Sequence, residues 1–300
     1  MGEMTVADTI RDISRRHLEE NDGLLLGQSI SAVGWVNNTV PDCRGIVELP
    51  MTDVAGAGIA VGTAMVGRRP IFVIRFQDFL ILNGSPLIYY AAKSKELHGR
   101  STPIFVRAIA SDGIGPVHSG VLHAVFMHFP GFRVCSPMTP GEYRAVWQDF
   151  MEHDDPMIVS EHRLSFANKE ELPDLDHPEA SVTLFPISAT RFAAMEAADT
   201  LAKEGIFCNV VHLVWLKPFV IDSRMERPLR RSGRGLVIDA GHETAGAAQS
   251  IAYRLGLTTG LPVRALGLED ATKCLCHPLK NEIPTAEKIA ATVRALLATP

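Results

Sequence analysis

No run of ~18 uncharged apolar residues occurs in this sequence, so a membrane-spanning helix is not expected. The opening MGEMTVADTIRDISRR also lacks the apolar core of a secretion signal, and Val6 stands where an N-terminal myristoylation signal requires Ser or Thr. Cysteine is sparse. Cys43, Cys135, Cys208, Cys274 and Cys276 form an odd set without a CxxC pair, the usage of a reducing compartment, so the expectation is a cytoplasmic, unanchored chain. Charge of neither sign dominates: 29 Lys and Arg against 34 Asp and Glu give a net −5 and a pI near 6.1. Such a chain has no global field that would draw nucleic acid or anionic lipid. Also missing are a GxSxG elbow, a P-loop and a kinase signature, which removes three common catalytic frameworks.

What is present is apolar material and alternation. At 46% apolar, 21% charged and 7% aromatic residues, with mean hydropathy +0.11, the chain can build sizeable cores. Its 300 residues suit two domains, because single cores stop growing near ~250 residues. Up to residue 165, β-branched runs at 24–27, 70–76, 103–109, 132–136 and 156–160 alternate with helical stretches at 56–67, 86–99, 119–129 and 140–153. That pattern predicts βαβ units around a parallel sheet, a doubly wound α/β domain over residues 1–168. The segment ANKEELPDLDHPEAS has two prolines, many acids and little that could enter a core, so a linker is expected at 169–180. Alternation then resumes with a helix at 189–205, strands at 208–216 and 233–240, and helices at 244–256 and 285–297. A second, smaller α/β domain is expected over 181–300.

Several clusters invite a chemical reading. The GAGIAVG stretch, Gly56 to Gly62, places glycines at a helix start, where backbone N–H groups could meet phosphate or where small residues could let elements approach closely. A dinucleotide turn is disfavoured, because the strand IVEL ends well before Gly56 and Val61 occupies the third-glycine position. His118, His123 and His128 recur every five residues and so share no helix face; Cys274-x-Cys276-His277 has no common tetrahedral precedent, and a metal site is not expected. For His123 and His128 a partly buried, hydrogen-bonded role is the simpler reading. His118 differs, lying in the glycine-rich loop DGIGPVHSG after a strand, where α/β proteins place ligands.

Further segments resemble, in order and spacing, the β subunits of the thiamine-diphosphate-dependent 2-oxo acid dehydrogenases, the E1β family related to the C-terminal half of transketolase. They are Leu49-Pro50-Met51-Thr52-Asp53 with GAGIAVGTAMVGRRPI, Phe76-Gln77-Asp78-Phe79, Ala91-Ala92-Lys93, and Val117-His118-Ser119 with HFPGFRVCSPMTP. In the second half, LVWLKPFVID and GLVIDAGHETAGAAQSIA continue the likeness, which thus covers nearly the whole chain.

The resemblance implies a doubly wound pyrimidine-binding domain followed by a smaller transketolase C-terminal-type α/β domain. In the family the cofactor lies between two subunits. An α-type chain holds the diphosphate through Mg²⁺ with a GDG…N motif, which this chain lacks, and the β-type chain holds the aminopyrimidine. An α-type partner in an α2β2 heterotetramer is therefore implied, with the apolar helices at 56–67 and 119–129 expected at subunit contacts. Asp53 occupies the position of the family glutamate that hydrogen-bonds the pyrimidine N1′, one methylene shorter; an N-cap role for Asp53 fits the residue type equally. Phe79 takes the place of the aromatic that stacks on the pyrimidine, its plainer reading being a core ring. Asp78 and Gln28 fall in segments beside the cofactor, Gln28 replacing a family acid in a stretch whose following loop, 29–42, is shortened. His118 matches the histidine that reaches substrate. The implied reaction is decarboxylation of a 2-oxo acid with transfer of the acyl or aldehyde unit. The alternatives are a split transketolase moving ketol units between sugars, and a non-catalytic stabilising partner of an α subunit.

Overall fold

The computed structural model describes residues 4–31, 36–111, 117–271 and 283–298, which divide into two compact units, residues 1–171 and 172–300. Cys274, Cys276 and His277 lie outside the described residues.

The first unit opens with helix α1 (Val6–Glu20), set by a capping box in which the Thr5 hydroxyl accepts from Asp8 N–H and the Asp8 carboxylate accepts from Thr5 N–H. Strands β1 (Leu25–Gln28) and β2 (Ile46–Leu49) precede helix α2 (Asp53–Met65), and β3 (Ile71–Ile74) follows. A short 3-10 turn, Gln77–Phe79, then leads into a long helical stretch: α3 (Leu80–Pro86), a π turn over Leu87–Ala91, and α4 (Ala92–His98). The wide turn follows Pro86, which has no N–H to continue the regular ladder. After β4 (Phe105–Ala110) come α5 (His123–His128), β5 (Arg133–Cys135), α6 (Pro140–Glu152) and β6 (Met157–His162).

These strands lie side by side, all parallel, in the order β2-β1-β3-β4-β6-β5. β3 and β4 are buried along their whole length, which explains why IFVI and FVRAIA read as continuous rather than alternating runs. One polar group interrupts them. Arg107 on β4 is fully buried, donating to both carboxylate oxygens of Glu161 (2.7 and 2.9 Å) and to the Thr39 hydroxyl at 2.7 Å, while Tyr143 donates to Glu161 at 2.6 Å. Burial alone would lower the Arg107 pKa; Glu161 and Tyr143 outweigh it and hold the guanidinium firmly charged.

The second unit runs β7 (Val182–Pro186), α7 (Thr190–Ala202), β8 (Cys208–Val210), β9 (Trp215–Lys217), α8 (Ser223–Ser232), β10 (Gly235–His242), α9 (Ala247–Thr259), β11 (Val263–Leu268) and α10 (Ala286–Ala298). Its sheet is parallel in the order β11-β10-β7-β8, with Val182, Leu184, Val210, Ile238, Ile289 and Val293 in the core. The strand expected at 208–216 is broken into β8 and β9. Within the break the His212 N–H goes to the Asp174 carboxylate at 2.8 Å and not to a neighbouring strand. In the acid- and proline-rich segment between the sheets, Glu171 accepts from Gly141 N–H and the Thr139 hydroxyl, and Leu175 bridges to Val210.

At Gly56 the close approach expected of GAGIAVG is present, a Cβ there coming 3.3 Å from Leu49 Cδ1, but at Gly58 and Gly62 both readings need correction. The helix begins at Asp53, so Gly58 and Gly62 lie inside it, where their N–H groups belong to the helical ladder and not to an anion cradle. Nor do they serve close packing among the described residues, since a Cβ on either would meet nothing within 4 Å.

Candidate functional site

The strand order reverses at β1: the chain passes from β1 outward to β2, then returns to β3 on the other flank. In open α/β sheets such a reversal leaves a crevice at the carboxyl ends of the strands, and ligands bind there. β1 ends on Gln28 and β3 on Ile74, with Arg75 next. Asp53 opens α2, a position where the free N–H groups of the first turn suit an anionic side chain. Phe79 closes the 3-10 turn, and Asn83 sits one helical turn further on. Gln28, Asp53, Arg75, Phe79 and Asn83, with Phe72 to Ile74 behind them, line one pocket open to solvent. Residues from Gln28 to Asn83, on strands and helices separated in sequence, thus share one wall.

Asp53 is not an N-cap. That position belongs to Thr52, whose side chain makes no cap hydrogen bond, and the Asp53 carboxylate instead accepts from the Asn83 amide, Nδ2 to Oδ1 3.0 Å. The same Nδ2 donates to the Phe79 carbonyl at 2.9 Å, which ties the acid and the aromatic together. Gln28 stands beside Gly56: a Cβ there would lie at contact distance, 3.7 Å, from Gln28 Nε2.

Asp78, expected at the cofactor, is turned another way and does not line the pocket. Its Oδ2 accepts from Gly120 N–H at 3.0 Å, and the neighbouring Gln77, fully buried, accepts from Leu122 N–H at 2.7 Å while donating to the Ala108 carbonyl and the Ser160 hydroxyl. The two side chains latch down the turn that carries His118. His118 is half-buried, edge-on to Phe76 at 4.5 Å and to Phe79 at 5.6 Å between ring centroids. The Arg163 and Arg75 guanidiniums approach the same Phe76 ring at 4.7 and 5.9 Å. Arg75, the His118 turn and Arg163 follow β3, β4 and β6, which are neighbours in the sheet, so basic groups gather at one carboxyl edge. Burial lowers the pKa of Arg75 against the opposing effect of Glu48; burial, then the charge of Arg75, lowers that of Arg163. Residues 112–116 of the loop before His118 lie outside the described residues.

His123 is fully buried with Nδ1 3.0 Å from the Ser160 hydroxyl, a packed and bonded histidine as expected. Burial raises the Cys135 thiol and pushes Cys208 up to about 12, so neither supplies a thiolate near neutral pH. Among the described residues no group of three or more His, Cys, Asp or Glu could hold a metal ion, and no helix is long and apolar enough to cross a membrane. Sequence reading missed Asn83, Arg75 and Arg163. The visible signal for Asn83 was an amide in the apolar stretch LILNGSP, one turn after Phe79; nothing in the spacing of the two arginines placed them together.

A parallel sheet with an acid, an aromatic and a histidine around its reversal point defines a class of cofactor-binding α/β proteins, and comparison with known proteins narrows it. Residues 34–168 match the transketolase pyrimidine-binding domain and 174–289 the transketolase C-terminal domain. With both domains in this order over most of its length, the chain belongs to the transketolase-like thiamine-diphosphate enzymes, and the curated proteins it resembles are β-type subunits. It is 29% identical over 272 residues to the acetoin:2,6-dichlorophenolindophenol oxidoreductase β subunit of Cupriavidus necator, covering 83% of this chain and 79% of that one. It is 24% identical over 274 residues to the pyruvate dehydrogenase E1 β subunit of Rickettsia felis, covering 83% of both. A solved split-gene transketolase, described as an inactive β4 tetramer, superposes with a TM-score of 0.76 over 99% of each chain; at 19% identity this likeness speaks for the fold alone.

Proposed function

We propose that this chain supplies the pyrimidine-binding half of a thiamine-diphosphate site in a two-component cytoplasmic enzyme acting on a small 2-oxo acid, with 1–168 as the pyrimidine-binding domain, 169–180 as linker and 181–300 as the C-terminal-type domain. The observation that carries the reading is the convergence of Gln28, Asp53 and Phe79 on one pocket at the sheet's reversal point. An aminopyrimidine fits what is there: a carboxylate for a ring N–H, a phenyl face for the ring plane, and an amide at the edge. When bound, the cofactor would supply a thiazolium C–H acidic enough to lose its proton, leaving a carbon nucleophile for a 2-oxo carbonyl.

The chain's own residues do the rest. Asp53 holds a proton at the ring nitrogen N1′ through a charge-assisted hydrogen bond. Phe79 fixes the ring plane and excludes water from that face. His118, latched by Asp78 and Gln77, donates to oxygen where negative charge develops on the substrate. Arg75 and Arg163 place positive charge beside it, suited to the carboxylate of a 2-oxo acid. Diphosphate and Mg²⁺ are left to the α-type partner, in an α2β2 assembly.

Calorimetry with thiamine diphosphate and Mg²⁺ on the isolated chain and on the complex with its α-type partner tests the reading. The complex should bind and the isolated chain should not; micromolar binding by the isolated chain would overturn the half-site assignment. A donor panel then separates chemistries, because turnover of ketose phosphates but not of 2-oxo acids would replace this reading by transketolase.

A further inference from the structure

Asn83 is 97% buried by the measure of its 3% exposure, yet its carbonyl oxygen Oδ1 has no hydrogen-bond partner among the described residues. A buried unpaired acceptor costs stability, and an apolar residue in the same place would avoid that cost. The amide is not free to turn and relieve it. Nδ2 faces two acceptors, the Phe79 carbonyl at 2.9 Å and Asp53 Oδ1 at 3.0 Å, and a flipped amide would set oxygen against oxygen at both. Asn83 is therefore placed for its donor end, and that end acts on the pocket's acid.

The donor has a definite consequence. Asp53 Oδ1 is engaged by Asn83, while Oδ2 makes no hydrogen bond among the described residues and is left for whatever enters the pocket. A short carboxylate at the start of a helix can rotate about two side-chain bonds, and Asn83 removes that freedom from the α3 side while holding the acid at a fixed place relative to Phe79. Resting on the pyrimidine-site reading above, we propose that Asn83 is the positioning residue that orients Asp53, reserving Oδ2 for the ring N–H of the cofactor's pyrimidine. The other titratable groups around this acid are Arg75, which lines the same pocket, Glu48, which acts on Arg75 from β2, and His118, which lies edge-on behind Phe79.

The test uses the reconstituted complex loaded with cofactor labelled with ¹⁵N at N1′, whose chemical shift follows protonation of the ring nitrogen across pH. In the wild type the titration midpoint should lie above that of free cofactor. Asn83→Ala should lower the midpoint by about one unit, a tenfold change in the protonation equilibrium, and reduce kcat on the order of tenfold, as loss of residues that orient metal ligands does, with little effect on substrate KM. Asn83→Asp keeps the shape and guards against an Ala variant that fails to fold. It puts a second carboxyl against Asp53, and since like charges disfavour ionisation the acid limb of the pH–rate profile should move upward by about one unit or more. If the wild-type midpoint equals that of free cofactor, the pyrimidine-site reading falls and this inference with it. If the wild-type midpoint is raised and both variants superpose on it in midpoint and pH profile, Asn83 is a packing residue and only this inference falls.

Discussion

Replacing the Asp53 carboxylate by an amide, Asp53→Asn, preserves the size of the side chain at the head of α2 but removes the charge that makes its hydrogen bond to a ring nitrogen strong. Cofactor affinity in the complex should change little, while hydrogen–deuterium exchange at the thiamine C2 should slow by about 10²-fold or more, the range in which a positioned acid–base group contributes. Equal exchange rates in wild type and variant would remove Asp53 from cofactor activation and revive the reading of a non-catalytic partner subunit. His118 tests the neighbouring half of the chemistry. It packs edge-on against Phe76 and Phe79 without filling a closed core site, so His118→Ala should leave the thermal melt of the complex nearly unchanged and lower kcat by roughly 10²-fold. Unchanged kcat and KM on the true substrate would return His118 to packing.

A turn, not a single side chain, decides where His118 stands. Gly120 lies against Asp78 so closely that a Cβ there would come 2.7 Å from Asp78 Oδ1, and its N–H is the donor that Asp78 receives. Gly120→Ala must push the Asp78 carboxylate aside and loosen the turn while leaving the β3, β4 and β6 core intact. Steady-state kinetics should show kcat reduced about tenfold, since displacements of ~1 Å at a site are felt on that scale or beyond, with circular dichroism of the folded complex unchanged. Wild-type kinetics in this variant would show that the latch does not matter. The same reasoning gives Asp78 a role at the scale of an element: it works through the backbone of the turn, although its sequence neighbours point to the cofactor.

For the whole molecule the informative surface is α2. Val54, Ile59 and Met65 are exposed along it and Val66 just beyond its end, with Gly58 and Gly62 open between them, and Ile81 and Leu82 of α3 are exposed as well. Soluble chains seldom leave a contiguous surface of this kind uncovered, and obligate assemblies bury such faces. The other segment expected at subunit contacts behaves differently: α5 buries His123 and Phe126 in its own unit and leaves Val125 among its exposed large apolar residues. Ile59→Asp should therefore yield a chain that melts like the wild type by itself but fails to form the complex with its α-type partner in light scattering. A variant that still assembles would place the contact elsewhere.

Much of this protein follows from its linear order. Parallel-sheet strands buried on both faces read as near-continuous apolar runs, so β3 and, apart from Arg107, β4 stand out in sequence, and a proline- and acid-rich segment contributes little to a core, so a division of the chain is visible near residue 170. Motif order singles out Asp53, Phe79, Gln28 and His118, but it carries chemistry and not position. Tertiary structure alone decided the rest. Strand order brings the end of β1 beside the end of β3, and only that adjacency puts Gln28 and Arg75 in one pocket. Side-chain direction turns Asp78 to Gly120 and leaves Asn83 facing Asp53 from thirty residues away. Hydrogen bonds between such distant groups leave no periodicity in a sequence, because they depend on how helices and strands pack and not on the spacing that makes them helices and strands.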